Sequence, residues 1–167
     1  MSDYTTVKLT KEIQSSLSQS FDCGNQALSS FLKSYDALDD FFGTTYVMIS
    51  GKTIVGYYNI STGHIQDNNV VRIGGAVYIN CLAVDKKYQK KKINNFYFSD
   101  ILLFDCFTKI KKFRENVGFG FVTLSSTDEG HYLYERNGFF KLEDDMQIAK
   151  NYGEDTCIPM YFPLDYE

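Results

Sequence analysis

Residues 88–95 read YQKKKINN. An apolar run, VYINCLAV (77–84), precedes them, and a longer one, INNFYFSDILLFDCF (93–107), follows. The first reads as the end of a strand over 71–84. The second reads as part of a helix over 92–112, with a polar stripe through Asn94, Asp105, Thr108, Lys109 and Lys112 at helical spacing. Three adjacent lysines then fall where a helix begins. The dipole there favours anions, and each lysine disfavours the helix by about 0.3–1 kcal/mol at most. Backbone N–H groups of a first helical turn have no intrahelical partner and point outward. An anion held by them would reverse the local field and make the lysines favourable. A solvated loop of charge accounts for the same residues without a ligand.

The rest of the chain supplies strands and helices in alternation. A short strand is expected at 7–9. FDCGNQALSSFLK (21–33) reads as the start of a helix, with Asp22 or Asn25 as cap and Leu28, Phe31 and Leu32 as its apolar stripe. One or two further helical turns are expected over 36–42. A hairpin follows, 44–49 and 53–60, with Ser50-Gly51-Lys52 as its turn. Asp67, Asn68 and Asn69 mark a polar loop before the strand over 71–84. GFGFVTL (118–124) reads as a buried strand. A short helix over 128–137 stops at Gly138, and 139–142 and 156–162 read as closing strands. This order implies an α+β or α/β fold with a mixed sheet.

The chain has 167 residues and a net charge of −4, enough for one domain with a real core and too acidic overall to advertise a polyanion binder. Its lysines are nevertheless clustered, at 86–92 and 109–112, which suits a small anionic ligand. The N-terminus lacks an apolar signal region, and no run is long enough to span a bilayer. Cys23, Cys81, Cys106 and Cys157 are widely spaced and read as free thiols of a reducing compartment, the cytoplasm. Only His64 and His131 could partner a catalytic cysteine. Glu143, Asp144 and Asp145 read as a solvated loop, and no metal site is expected. Gly74-Gly75 reads as a turn or bulge.

INCLAVDKKYQKKKINN (79–95) resembles the central motif of the GNAT superfamily, the acetyl-CoA-dependent N-acetyltransferases. In that family a strand ending like L-A-V-D is followed by R/Q-x-x-G-x-G/A, whose amides cradle the CoA pyrophosphate. Gln89 matches the first position. Lys92 stands where the family usually has Gly, and Asn94 where it has Gly or Ala. LYERNGFF (133–140) resembles the family's F/L-Y-E-x-x-G-F element. FDCGNQALSSFL (21–32) resembles an opening that marks one branch, which includes toxins of toxin–antitoxin pairs that acetylate the amino acid on charged tRNA. TTYVMISGKTIVGYYNISTG (44–63) resembles that branch's next hairpin, so the resemblance covers nearly the whole chain.

The resemblance implies one GNAT domain over 1–167, with about seven strands in a mixed sheet flanked by helices and splayed between the fourth and fifth strands. Acetyl-CoA is the implied cosubstrate. Main-chain groups of Cys81, Leu82, Ala83 and Val84 would pair with the pantetheine arm as an added strand does. Gln89, Lys90, Lys91, Lys92, Ile93, Asn94 and Asn95 would carry the pyrophosphate, with lysine ammonium groups acting as point charges in place of the missing glycines. Tyr134 matches the tyrosine that donates a proton to the departing thiolate, a role its phenol suits. Tyr132 is the nearby competitor, turned to another side by helical spacing. His64 and Glu129 are candidates for the proton acceptor.

The expected activity is transfer of the acetyl group to a primary amine of a small molecule, peptide or aminoacyl-tRNA, by direct attack in a ternary complex. The toxin branch implies an antitoxin or tRNA partner. The acidic balance and the three arginines, Arg72, Arg114 and Arg136, suit a small amine or peptide at least as well. No membrane partner is implied, and monomer and homodimer both remain open. The alternative is a non-catalytic GNAT-like protein whose degenerate CoA loop serves partner binding.

Overall fold

The first strand, β1 (Thr6–Lys8), leads through Thr10 into a helix, α1 (Lys11–Leu17), whose first turn is closed by the Thr10 hydroxyl accepting the Ile13 N–H at 3.2 Å. The computed structural model describes residues 4–148 and 157–164. Helix α1 is absent from the expectations because KEIQSSL carries only two apolar residues, Ile13 and Leu17, too few to give a helical period. The next helix, α2 (Gln26–Lys33), is capped by Asn25, which accepts the Leu28 N–H at 3.1 Å. Asp22 caps nothing and has a different role. The helical turns expected over 36–42 form two short 3₁₀ turns, Tyr35–Leu38 and Asp40–Phe42.

The hairpin forms as expected from β2 (Thr44–Ser50) and β3 (Thr53–Asp67), antiparallel from Thr44↔Ile60 to Ser50↔Thr53. Gly51 sits at the turn at φ +61. Strand β3 continues well past residue 60, to Asp67. After the polar turn, where Asp67 Oδ1 accepts the N–H groups of Asn69 and Val71, comes β4 (Arg72–Val84).

The stretch after β4 departs from expectation. It forms a tight two-stranded ribbon, β5 (Lys92–Ile93) and β6 (Phe96–Tyr97), paired Lys92↔Tyr97 and Ile93↔Phe96. Helix α3 (Phe98–Arg114) starts at Phe98 rather than at Lys92. The reason is local: Asn94 and Asn95 both hold positive φ, +50° and +69°. That pair of left-handed residues makes the two-residue turn that matches strand twist, and it ends any helix passing through.

Beyond α3 come β7 (Phe121–Ser126), α4 (His131–Arg136), β8 (Phe140–Lys141), β9 (Met146–Ile148) and β10 (Ile158–Pro163). Gly138 at φ +91 stops α4, as expected. Strand β9 is not among the expected elements, and Thr156, the expected start of the last strand, lies outside the described residues. The eight-stranded mixed sheet has the order β1-β2-β3-β4-β7-β10-β8, with β9 beside β3. Strands β4 and β7 pair in parallel, and their register runs from Ala76↔Phe121 to Ile79↔Leu124, where it stops.

The chain divides into two compact units. One holds the residues up to Ile60 with Cys81–Lys109; the other holds Ser61–Asn80 and the residues from Ile110 on. In the first, Leu9, Phe21, Leu32, Val47, Ile54, Tyr57 and Ala83 form a core. The buried stripe of α3 begins there with Phe98, Leu102, Leu103 and Cys106. A buried polar tie joins β1, β3 and α3: Asp105 accepts Tyr58 Oη–H at 2.7 Å and the Thr6 hydroxyl, and pairs with Lys109 at 3.2 Å. In the second, Ile65, Val77, Val122, Leu124, Tyr134, Phe139 and Met160 are buried.

Candidate functional site

Two of the segments that carry the family resemblance, the F-D-C-G opening and the V-D-K stretch, meet in the first unit. Asp85, the residue after β4, is buried (2% exposed). Its Oδ2 accepts the Asp22 N–H at 3.0 Å and its Oδ1 accepts the Lys87 N–H at 2.9 Å. Its own N–H donates to Val55 O at 2.8 Å, fixing it to β3. In return, Asp22 O accepts the Lys86 N–H at 2.8 Å, and the Asp22 carboxylate pairs with Lys86 Nζ at 3.0 Å. The Gly24 N–H and then Lys86 hold the Asp22 carboxyl below the usual carboxylate range. Gly24 turns at φ +87, where an added Cβ would lie 3.2 Å from Lys86 Cε; glycine is the residue that takes this conformation freely.

Gln89 completes the junction. Its Nε2 donates to Cys23 O at 2.7 Å and to Val84 O at 2.8 Å. The turn after Asp85 uses its amides internally: the Tyr88 and Gln89 N–H groups donate to Asp85 O, and Lys91 N–H to Tyr88 O. Lys90 lies at φ +63. The side chains of Lys90, Lys91 and Lys92 are exposed. Lys91 Nζ lies 5.7 Å from the Tyr88 ring centre and Lys92 Nζ 4.5 Å from that of Tyr97. A cavity of about 90 Å³ is lined by Val84, Tyr88, Gln89, Lys90, Tyr97, Phe98 and Ser99.

Lys90, Lys91 and Lys92 do not sit on a helix start. The true first turn carries Asp100, a buried carboxylate that accepts the Tyr97 N–H at 3.1 Å, which is what the dipole favours. The expectation of a helix beginning near residue 92 is therefore corrected: it begins at Phe98. Amides of Lys87, Tyr88, Gln89 and Lys91 are engaged within the turn, and the helix N-terminus bears its own anion. What the loop presents outward is ammonium side chains.

Of the remaining expected residues, Cys81 and Leu82 are half-buried while Ala83 and Val84 are buried at the end of β4. Burial pushes the Cys81 thiol up to about 11, which keeps it protonated near neutral pH. All four cysteines are free. Ile93 is half-buried, and Asn94 and Asn95 are exposed at the ribbon's turn.

In the second unit, Tyr134 lies on α4 and is buried (7% exposed), its ring edge-on to Phe139 at 5.5 Å. Its carbonyl accepts the N–H groups of Asn137 and Phe139, closing the helix at Gly138. Tyr132 is exposed, with its ring 3.8 Å from that of His131. Helical spacing separates the two tyrosines as expected. His64 Nε2 is hydrogen-bonded to Gln66 Oε1 at 3.0 Å, and Glu129 is exposed in the turn before α4. Among the described residues no cluster of potential metal ligands occurs, and no helix is long and apolar enough to cross a membrane. Asp22, Asp85 and Asp100 are the structural centre of the site and were not among its expected residues. The signal for Asp85 was the acid of V-D-K itself, and for Asp100 the Ser99-Asp100 pair before an apolar run.

No family model and no curated protein matches this chain. Solved structures do. A tyrosine-to-phenylalanine mutant of the toxin AtaT, bound to the C-terminus of the antitoxin AtaR and acetyl-CoA, superposes with a TM-score of 0.73 at 20% identity, covering 95% of this chain and 92% of that one. AtaT complexed with acetyl-methionyl-tRNAfMet gives 0.72 at 19% identity, covering 95% and 94%. A mutant of KacT gives 0.70 at 18%, covering 95% of each. The likeness shows the fold: the chain has the GNAT fold.

Proposed function

We propose that this protein is an N-acetyltransferase that moves the acetyl group of acetyl-CoA to a primary amine. The observation that carries the reading is the likeness over 95% of the chain to a structure holding acetyl-CoA. The junction of the F-D-C-G opening with the V-D-K segment supports it, because both resembling motifs contribute to one built site.

In this reading acetyl-CoA supplies an activated thioester. The main chain of Cys81–Val84 aligns the pantetheine arm. Lys90, Lys91 and Lys92 hold the diphosphate as point charges, in place of a glycine-lined amide cradle. The amine nitrogen forms a bond to the acetyl carbon as the carbon–sulfur bond breaks. The sulfur takes its proton from the Tyr134 hydroxyl, and the amine's surplus proton leaves to water. Aminoacyl-tRNA, a peptide and a small amine are the acceptor classes. The structure of AtaT with an acetylated aminoacyl-tRNA favours the first, and the antitoxin complex of AtaT supports an antitoxin-like partner. The use of acetyl-CoA and the free thiols support a cytoplasmic location. The chain acts as one domain, as a monomer or homodimer.

One observation favours a second reading, a partner-binding module without catalysis: the amides of Lys87, Tyr88, Gln89 and Lys91 are engaged within the turn, and the helix start carries the Asp100 carboxylate. Thermal melting with acetyl-CoA separates the two. A ligand that binds the native state raises the melting temperature; a flat response supports the second reading.

A further inference from the structure

Most ties between the opening loop and the end of β4 run through backbone groups or through Asp85. Gln89 adds one of a different kind. Its single amide nitrogen donates to two carbonyls at once, Cys23 O at 2.7 Å and Val84 O at 2.8 Å. Gln89 is exposed, and water reaches its surroundings. The bridge satisfies the carbonyl of the buried Val84 and, through the exposed bond to Cys23 O, fixes the spacing between two segments. Those segments differ in kind. Val84 ends β4, whereas residues 22–24 form a loop whose glycine is left-handed.

We propose that Gln89 is a positioning residue, a latch that holds the loop 22–24 against the end of β4. The inference deepens the proposed function in one respect. There, main-chain groups near Val84 align the acyl donor, so a donor amide competing for Val84 O would release the latch and shift the loop. Coupling of this sort is reciprocal: whatever fixes the loop also alters donor affinity.

Cys23 lies in the loop and reports on it directly. Its Sγ is 3.3 Å from Ser29 Oγ and 3.4 Å from Asn25 O. The experiment measures iodoacetamide alkylation of each cysteine by peptide mass spectrometry, in the wild type and in Gln89→Glu, which keeps the shape but loses the donor. Gln89→Ala is the second variant. Without ligand, Cys23 is expected to react about five- to tenfold faster in both variants, the effect of losing roughly one net hydrogen bond. Cys157 is expected to react at an unchanged rate. Equal Cys23 rates overturn the latch, and equal acceleration at Cys157 also overturns it by revealing general loosening. With millimolar acetyl-CoA, the Cys23 rate is expected to change in the wild type and not in Gln89→Glu. An unchanged wild-type rate while calorimetry detects bound acetyl-CoA overturns the coupling to the donor. A silent calorimeter refutes the proposed function instead, and the latch is then decided by the ligand-free rates.

Discussion

The Asp85 carboxylate accepts the backbone N–H of Asp22 at 3.0 Å and that of Lys87 at 2.9 Å, and the carboxylate is buried. One side chain thus joins residues 63 positions apart in sequence and shapes the turn that follows β4. Replacing it with alanine leaves two N–H groups without their acceptor. Each such loss costs about 1–3 kcal/mol, so Asp85→Ala is expected to lower stability by about 2–6 kcal/mol. Urea unfolding checks this: the midpoint falls while the slope stays constant.

The ribbon 92–97 depends on two asparagines in left-handed conformation. Glycine accepts that backbone and β-branched residues resist it, by roughly 1–2 kcal/mol each. Asn95→Gly is expected to keep the ribbon, and the double change of Asn94 and Asn95 to valine to abolish it. Cross-strand nuclear Overhauser effects between Lys92 and Tyr97 report the outcome.

These cases also show what the sequence disclosed. Local chemistry was legible: Asn25 capping α2, Gly138 ending α4, the 44–60 hairpin, and the strand ending at Val84. Each follows from one or two residues and a clear period. The ribbon was not, because two-residue strands have no period and an aromatic-rich segment reads as helix until its Asn-Asn turn is recognised as the signal. Helix α1 was too polar to stand out. In the site, the lysines were visible and the acids that organise it were not, because Asp85 acts on the backbone of Asp22 and the Asp22 carboxylate on Lys86, both far away in sequence.

Asp105 offers a test in pH. Burial raises its carboxyl, but hydrogen bonds from Thr6, Tyr58 and Lys109 outweigh it and hold it below the usual carboxylate value. A group depressed in the folded state stabilises above its unfolded value, near 4, and loses that contribution as pH falls through the folded value. Stability is therefore expected to drop on acidification below about pH 4. Asp105→Asn should be less stable at pH 7 and flatter on the acid side. A parallel acid limb in the two proteins would contradict this.

Tyr134→Phe removes one hydroxyl and keeps the buried ring that packs on Phe139. General acid catalysis contributes about 10²–10⁴-fold. Turnover with a competent amine is expected to fall within that range while acetyl-CoA affinity stays the same. Unchanged turnover would remove Tyr134 as the acid.

We propose that lysine side chains, rather than a glycine cradle, hold the acyl donor. Calorimetric titration of acetyl-CoA into the wild type and into the Lys90→Ala/Lys91→Ala/Lys92→Ala variant, at low and high salt, tests it most directly. Saturable binding to the wild type that weakens with salt is expected, with at least about tenfold weaker binding to the triple variant, the effect of about 1.4 kcal/mol. No binding to the wild type at millimolar ligand, or equal binding to both proteins, would contradict it.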